Sequence, residues 1–437
     1  MEITILKNEK TVKWIVGVLR FALGAVFIFS GFVKAIDPWG TIYKITEYLS
    51  VLGFESQLSL TIFFTFSLAI FEFVIGVLLF AGCYRRVAPL LGLLSMVVML
   101  PLTLYIAVTD NIADCGCFGD AVHLSNWATF WKNIAITAGL VYLLIYNKRL
   151  INIYGVAVQW GVIAFSFVFV GIILLEGYFN QPLLDFRPFK IGTTLAEYEI
   201  DSEEAEYKFI YKKGDVIKEF SMDSIPDDDW EFVDRVSVSG DAGFDSNAVH
   251  ISVDGEDITS DVITGEGDQI ILLFPDLDNV EISYTFAINE IYDLAKAHDV
   301  DFVALTSSDD DAIEEWRDLS MAAYDMYLID DSVLKQIARG NPAIVYLKDG
   351  IIQWKRTLQS ISVKQFEKDA IDMNLIVKKS DNKKSLYLYT GFYLFFMIFL
   401  LIINRMHKVF KIKEYLIKEN QNKSVPLHSD KKEINQK

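Results

Sequence analysis

Six apolar stretches constrain the fold of this chain more than any other feature. A hydrocarbon core about 30 Å thick is crossed by roughly 20 helical residues, and each stretch reaches that length with almost no charge. The stretches cover about 14–36, 59–81, 87–108, 128–146, 155–175 and 385–404. The first is too long for a signal peptide, and its later part lacks a small-residue cleavage site. The sequence therefore predicts a polytopic α-helical membrane protein.

Basic residues indicate the orientation of these spans, because cytoplasmic loops carry an excess of Lys and Arg. Lys and Arg precede the first span and follow the second, fourth and sixth, whereas the loops 37–58 and 109–127 carry one and none. A few lysines at 378–384 run against this rule, and the parity of the spans outweighs them. We therefore expect a bacterial inner-membrane protein with both termini in the cytoplasm and a large periplasmic segment. The net charge of −18 argues against nucleic acid as a partner.

The polar segment after the fifth span divides into two parts. Residues 180–267 indicate a linker and a small β-rich segment, in which "YKFIYKKGDVIKEFSM" predicts a hairpin. From about 268 the pattern alternates between strands and helices. The sequence predicts strands in 269–274, 301–308, 324–330 and on both sides of Asp349-Gly350, and helices at 281–298, 310–320, 332–339 and 363–371.

This order, βαβαβαββα with a proline before the penultimate strand, resembles a thioredoxin-like domain over about 268–372. The resemblance places Asn341 and Pro342 at the family's cis-proline, so we expect a cis bond there. The chain departs from the family after the first strand, where "PDLDNV" stands in place of Cys-x-x-Cys. The resemblance therefore implies a binding or structural module without dithiol exchange of its own, with Pro275, Asp276, Asn341 and Pro342 in its binding loops.

Two of the three cysteines lie in "DCGCFGD", between the third and fourth spans. Cys115 and Cys117 could form a disulfide whose small ring departs from relaxed geometry and is easily reduced, as catalytic disulfides are. They could also fix a structural loop, or bind zinc with His123 and Asp114 or Asp120, although zinc needs about four ligands. Asp114 and Asp120 disfavour the thiolate. We take Cys115 and Cys117 as the candidate redox residues and assign no metal site.

Two ionisable residues fall inside or at the edge of the spans. Glu72 lies within the second span, where a charge is costly and is usually paired or functional. Lys34, near the outer end of the first span, could pair with Glu72, and the two could also belong to a proton or ligand path. Cys83 lies at the cytoplasmic end of the second span, where thiols stay reduced.

Residues 10–150, above all "DCGCFGDAVHLSNWATFWKN", resemble the DoxX/MauE superfamily of four-helix membrane proteins. DoxX-type members are linked to quinone and sulfur redox chemistry, and MauE-type members to disulfide handling during the maturation of exported enzymes. Together with the thioredoxin-like domain, the chain resembles a Bacteroidetes subgroup. The resemblance implies a redox-associated protein with a periplasmic client or redox partner; a quinone could serve as electron acceptor, and no cofactor is assigned.

The favoured interpretation is a DoxX/MauE-like bundle with two further spans and an inserted α/β periplasmic domain. The Cys-Gly-Cys loop exchanges electrons or disulfides with a partner or quinone, and the outer domain binds the client. The alternative is a non-enzymatic envelope scaffold, and whether the protein is an enzyme, like its oligomeric state, stays open. The domains are 1–150 (bundle), 151–179 (fifth span), 180–267 (linker and β-rich segment), 268–383 (thioredoxin-like domain), 384–404 (sixth span) and 405–437 (basic, disordered tail).

Overall fold

The computed structural model divides the chain into two compact units. One comprises Met1–Leu175 with Lys383–Lys437, and the other Glu176–Asn382. We call them the membrane unit and the sheet unit and describe each by itself. The described residues are 2–51, 53, 57–109, 116–195, 207–213, 216–221, 231–237, 249–253, 256–361 and 382–423.

The membrane unit is built from long apolar helices. Among the described residues, six helices are long and apolar enough to cross a membrane, in agreement with the six predicted spans. The protein is thus a multi-pass membrane protein. The helices are α1 (Glu2–Ile36), α2 (Pro38–Val51), α3 (Leu58–Ala81), α4 (Val87–Thr109), α5 (Asn126–Ile145), α6 (Gln159–Phe179) and a C-terminal helix (Asn382–Lys423), of which all but α2 are candidate spans.

Two helices differ from the sequence prediction. Helix α2 occupies the first loop, where no helix was expected; it begins at Pro38, a position that proline favours because its missing N–H needs no partner there. The Asp37 carboxylate accepts a hydrogen bond from the Gly40 N–H at 3.0 Å, which satisfies one free donor of its first turn. The C-terminal helix continues to Lys423, so the prediction of a disordered tail is wrong for 405–423. Residues 424–437 lie outside the described residues.

Helices α1 and α3 pack with their backbones in contact. A Cβ atom built on Gly31 of α1 would lie 2.4 Å from the Phe73 nitrogen, and one built on Gly76 of α3 would lie 2.4 Å from the Ile28 nitrogen. Only glycine permits this approach, and small residues are the usual means by which transmembrane helices come close. The packing sets the register of the two helices and brings Lys34 opposite Glu72.

The core of the sheet unit is a five-stranded mixed sheet in the order β10-β9-β6-β7-β8. Strands β6, β7 and β8 are parallel, and β9 is antiparallel to both β6 and β10. The elements are β6 (Asp268–Phe274), α8 (Thr285–Ala297), β7 (Asp301–Thr306), α9 (Asp310–Ser320), β8 (Asp325–Leu328), α10 (Asp331–Ile337), β9 (Ala343–Lys348) and β10 (Ile351–Thr357), preceded by the short helix α7 (Thr259–Val262). The predicted helix at 363–371 lies outside the described residues.

Strand β6 is apolar from Ile270 to Phe274, where both faces of the sheet are covered. Ile270, Leu272 and Phe274 enter a core with residues of α8 and α9, whereas Ile271 and Leu273 enter a second core with residues of α10. A strand buried on both sides is a continuous apolar run rather than an alternating one, as "QIILLF" is.

The segment predicted as a linker packs against the edge of this sheet. The Gly192 N–H donates to the Ile352 carbonyl at 2.7 Å, and the Ile352 N–H donates to the Thr193 carbonyl at 3.0 Å. The Leu195 N–H donates to the Gly350 carbonyl at 3.0 Å. These bonds satisfy the free edge of β10, which would otherwise present unpaired backbone groups.

A separate antiparallel sheet in the order β2-β1-β3 precedes this core. Its strands pair as the sequence hairpin predicts, with Lys213 opposite Val216 at the turn. A two-stranded antiparallel ribbon of β4 and β5, with two residues in each strand, follows it. The strands are β1 (Tyr207–Lys213), β2 (Val216–Ser221), β3 (Glu231–Ser237), β4 (Ser252–Val253) and β5 (Glu256–Asp257).

Candidate functional site

One of the two candidate redox cysteines is within the described structure. Cys117 is half-buried and follows Gly116, whose φ of +59° is a backbone conformation that residues with a side chain rarely adopt. A turn closes here, with the Gly119 N–H donating to the Gly116 carbonyl at 3.0 Å. Cys115 lies outside the described residues, so the pairing of the two sulfurs stays a prediction.

The Lys34 side chain joins three elements of the membrane unit. Its ammonium donates to the Ser30 Oγ, to the Glu72 Oε2 and to the backbone carbonyl of Cys117, each at 2.8 Å. An ammonium has three hydrogens, and all three are used. Lys34 is 3% exposed and Glu72 is 5% exposed, so the ion pair is buried as well as paired. The two residues singled out from the sequence therefore meet, and together they hold the cysteine loop.

Ser30 completes this cluster and was not singled out from the sequence. Its hydroxyl oxygen lies 2.9 Å from the Glu72 Oε2 and 2.8 Å from the Cys117 carbonyl oxygen. A hydroxyl has one hydrogen, so it donates to one of these acceptors at a time. The signal that could have found it is its position one helical turn before Lys34, on the same face of α1.

A small, partly open cavity lies beside the cysteine loop. Its polar lining residues are Ser30, Glu72, Lys132 and Asn133, its sulfur-containing ones are Cys117 and two methionines, and the others are apolar. Such a combination of apolar walls and a few convergent polar groups is typical of small-molecule sites. The lining residues are Val26, Phe27, Ser30, Glu72, Met96, Met99, Cys117, Phe118, Lys132, Asn133 and Ile136.

Two residues of α5 give the cavity its other polar groups. The Lys132 ammonium lies 4.2 Å from the centroid of the Phe118 ring, a cation–π contact. The Phe118 ring in turn lies 5.4 Å from the ring of Phe29 on α1. The Asn133 side chain is buried and donates to the Thr103 hydroxyl at 3.4 Å. Lys132 and Asn133 were both missed, although Lys132 is an ionisable residue within the predicted fourth span, the same signal that singled out Glu72.

The metal alternative receives no support from the described part of the chain. There, no group of three or more His, Cys, Asp and Glu side chains is arranged to hold a metal ion. Asp114 and Cys115, which the zinc alternative needs, lie outside the described residues.

Cys83 differs from the cysteine loop in its surroundings. It is 1% exposed, and its burial raises the pKa of its thiol to about 11. A thiol with such a pKa is protonated near neutral pH and is a poor nucleophile. We therefore give Cys83 no part in the chemistry.

In the sheet unit, the structure brings the four predicted loop residues together. The Asn341 side-chain amide donates to the Asp276 carbonyl at 2.6 Å, and its oxygen accepts from the Asp276 N–H at 3.4 Å. Pro275 and Asp276 follow the end of β6, and the Asn341–Pro342 peptide bond, which precedes β9, is cis. The Asp276 carboxylate accepts hydrogen bonds from the backbone and side chain of Asn279 at 3.2 and 2.7 Å.

A second buried lysine was missed by the sequence reasoning. The Lys355 ammonium, on β10, donates to the Asp185 Oδ2 at 2.7 Å and to the carbonyls of Phe189 and Ile337 at 2.5 and 2.9 Å. The Arg187 guanidinium donates to the same carboxylate at 2.7 and 3.0 Å. The cluster fastens the segment 180–195 to the sheet.

This cluster shifts the pKa values of its members. Burial, together with the nearby positive charge of Arg187, lowers the pKa of Lys355 to about 7, although Asp185 opposes the shift. Burial disfavours the ionised Asp185, but Arg187 and Lys355 outweigh it and hold the pKa of that carboxyl well below its usual range.

Comparisons with known proteins bear on the membrane unit and on the small sheet. Residues 12–146 match the family model described as methylamine utilisation protein MauE. Residues 205–239, which include β1, β2 and β3, match a domain of unknown function, DUF8463. A comparison with curated proteins finds no match. The chain is therefore a multi-pass membrane protein whose residues 12–146, which contain Lys34, Glu72 and Cys117, are similar to the MauE family.

Proposed function

We propose that this protein is a redox component of the bacterial inner membrane that acts in the maturation of an exported client. The observation that carries the proposal is the position of Cys117. It lines a cavity of the MauE-like bundle, and its carbonyl is fixed by a buried ion pair. A family described by methylamine utilisation suggests redox or maturation work of this kind.

The proposed reaction is thiol–disulfide exchange through Cys115 and Cys117. Two client thiols are oxidised to one disulfide while the Cys115–Cys117 disulfide is reduced to two thiols. Reoxidation of the pair releases two electrons and two protons, so an acceptor is needed.

We take a quinone as this acceptor, on the composition of the cavity lining. Val26, Phe27 and Ile136 would offer an apolar wall to a ring, and Lys132 and Asn133 would donate to its carbonyl oxygens. A bound quinone supplies a two-electron, two-proton acceptor. The protein residues would orient the ring, and the Lys34–Glu72 pair holds the cysteine loop in place.

The sheet unit is proposed to bind the client through a thioredoxin-like fold. The strand order, with β9 antiparallel to β6, and the cis bond before β9 support this fold. The sheet unit contains no cysteine, since the three of the chain are Cys83, Cys115 and Cys117. The loops at Pro275–Asp276 and Asn341–Pro342 therefore act in binding.

The proposed orientation has both termini in the cytoplasm, and the cysteine loop and the sheet unit in the periplasm. The distribution of basic residues supports it, including Arg405, Lys408, Lys411 and Lys413 after the last predicted span. Labelling of single-cysteine variants with a membrane-impermeant maleimide in intact cells tests it. Cys117 should react from outside, and a cysteine introduced at Ser424 should not.

Thiol trapping in intact cells tests the redox function. The pair should be mostly oxidised during growth and should shift to the reduced form when quinone synthesis is blocked, whereas a Cys83→Ser variant should behave as the wild type. A pair that stays in one state under both conditions contradicts turnover.

The absence of cysteine from the sheet unit also favours a second candidate, a non-enzymatic envelope scaffold. Replacement of Cys115 and Cys117 by serine separates the two functions. If the client matures normally in the double variant while the protein still assembles in the membrane, the scaffold is correct and the redox function is wrong.

A further inference from the structure

The cavity beside Cys117 contains the positive charge of Lys132, which is proposed above to donate to a quinone and which also lies close to the cysteine loop. Lys132 lines this cavity together with Cys117. Its ammonium is held 4.2 Å from the centroid of the ring of Phe118, the residue that follows Cys117. The charge therefore lies next to the cysteine loop and inside the same partly enclosed space.

Among the described residues, two other lysines near the loop are paired with carboxylates. Lys34, from α1, is bonded to Glu72, from α3, at 2.8 Å. Lys44 of α2, whose side chain packs against Gly116, lies 3.1 Å from Glu47.

Among the described residues of the loop and of α5, the remaining acidic and basic side chains are Asp120, His123 and Lys132. Asp120, in the loop itself, has interactions of its own. Within the described part of the chain, Lys132 forms no ion pair; its one cation contact is with the Phe118 ring. Among the residues that the structure describes, Lys132 therefore brings to the cysteine loop a positive charge that no carboxylate there pairs with.

We infer that Lys132 stabilises the thiolate of Cys117 and thereby makes Cys117 the leaving sulfur of the Cys115–Cys117 disulfide. The inference rests on the proposed thiol exchange. A neighbouring cation favours the thiolate, and its effect is larger in a cavity of low dielectric than in water. The thiol whose thiolate is more stable leaves faster.

The exchange then has a defined direction. A client thiolate attacks the sulfur of Cys115; the bond between the two cysteine sulfurs breaks, and Cys117 keeps the electron pair as a thiolate. A second client thiolate attacks the client sulfur bound to Cys115, which closes the client disulfide and releases Cys115 as a thiolate. Lys132 is a positioning residue in this scheme, since it acts through Cys117.

The pH dependence of alkylation tests the inference. The probe is iodoacetamide, applied to the purified, reduced full-length protein in detergent, with Cys83→Ser and Cys115→Ser so that Cys117 is the reacting thiol. Lys132→Met should move the midpoint of the alkylation rate upward by about one pH unit, and Lys132→Arg should leave it near the wild-type value. Lys148→Met, which removes a lysine from the segment Asn147–Arg149 after α5, is the matched control and should cause no shift.

An equal midpoint for Lys132→Met and for the starting protein overturns the inference. If Lys132 has only a structural role, Lys132→Met changes the alkylation rate of Cys117 at every pH and leaves the midpoint where it was. That result would also overturn the inference. If Lys132→Met does not survive purification, Lys132→Gln removes the same charge with a polar side chain, and the same comparison decides.

The failure of this inference is distinguishable from the failure of the proposed function. The alkylation profile needs neither a client nor an acceptor, whereas the trapping experiment in cells needs both. An unshifted profile with normal cycling leaves the redox function intact and removes Lys132 from it. A shifted profile in a protein whose cysteine pair does not cycle in cells supports the role of Lys132 and contradicts the proposed redox function.

Discussion

In each unit a buried lysine fixes a distant loop, but the charges around the two lysines balance differently. Lys34 and Lys355 each donate three hydrogen bonds, and each holds a backbone carbonyl of a loop that is distant in the sequence. In the membrane unit, one lysine faces one carboxylate, and the charges cancel. In the sheet unit, Lys355 and Arg187 share the single carboxylate of Asp185.

The difference teaches what each environment tolerates. Inside a membrane bundle an uncancelled charge is expensive, so a neutral pair is the stable arrangement. In the sheet unit, the excess positive charge and burial appear as a lowered pKa of Lys355. The Lys34–Glu72 pair positions the cysteine loop beside the cavity, whereas the Lys355 cluster fastens a connecting segment to an edge strand.

The largest effect is expected from Lys34→Met. It leaves Glu72 buried without its cation, and the loss of one partner of a buried ion pair costs about 3–5 kcal/mol. The measurement is the fraction of full-length protein that stays monodisperse in detergent after heating. The double variant Lys34→Met/Glu72→Gln should recover at least half of the lost stability, because no charge is left unpaired.

Equal instability of the single and double variants would contradict this reading of the Lys34–Glu72 pair. The matched control is Lys44→Met, which breaks a partly exposed pair with Glu47. Such pairs contribute less than about 1 kcal/mol, so this variant should resemble the wild type.

A smaller effect is expected from Lys355→Met, because Asp185 keeps its bonds to Arg187. The carbonyls of Phe189 and Ile337 lose a donor, at a cost of about 1–3 kcal/mol. Hydrogen exchange of the Gly192 and Ile352 amides, which join the segment to β10, should become correspondingly faster. Lys335→Met, at an exposed pair with Asp331, is the control, and equal acceleration in it would refute the cluster's role.

The pKa of Lys355 makes the stability of the sheet unit depend on pH. The unfolded chain keeps this proton up to the ordinary value of 10.5, while the folded unit releases it near 7. The unfolded state therefore binds more protons between these values, and the free energy of unfolding rises with pH there, by about 1 kcal/mol per unit. Denaturation of the full chain at pH 7 and 8 should show the rise in the wild type, and Lys355→Met should abolish it.

The smallest loss of stability is expected from Asp309→Ala, which serves as a reference for the other variants. The Asp309 carboxylate caps α9 by accepting from the Ala312 N–H at 3.0 Å, and loss of such a cap costs about 1 kcal/mol. Asp309→Ala should lower the unfolding free energy of the sheet unit by that amount at both pH values. A loss as large as that of Lys355→Met would mean that the buried cluster is an ordinary contact.

Features that depend on neighbouring residues could be predicted from the sequence. The spans follow from the length of apolar runs, and strand β6 and the turn at Asp349-Gly350 follow from local pattern and turn chemistry. Helix α2 was missed because "DPWG" also has the composition of a turn, and its start depends on a cap at Asp37. The Lys34–Glu72 pair was predictable because an ionisable group in a span needs a partner.

Tertiary structure alone decided what surrounds those residues. Glycines at 31 and 76 set how closely α1 and α3 approach, and this approach brings Ser30, Lys34 and the Cys117 carbonyl together across 83 to 87 residues of sequence. The burial of Lys355 likewise depends on a segment 170 residues earlier that folds onto β10. Hydropathy and turn propensity are properties of a few consecutive residues, whereas the environment of a charge is set by packing between distant segments. The sequence thus determined which residues cross the membrane, and the packing determined which charges meet the cysteine loop.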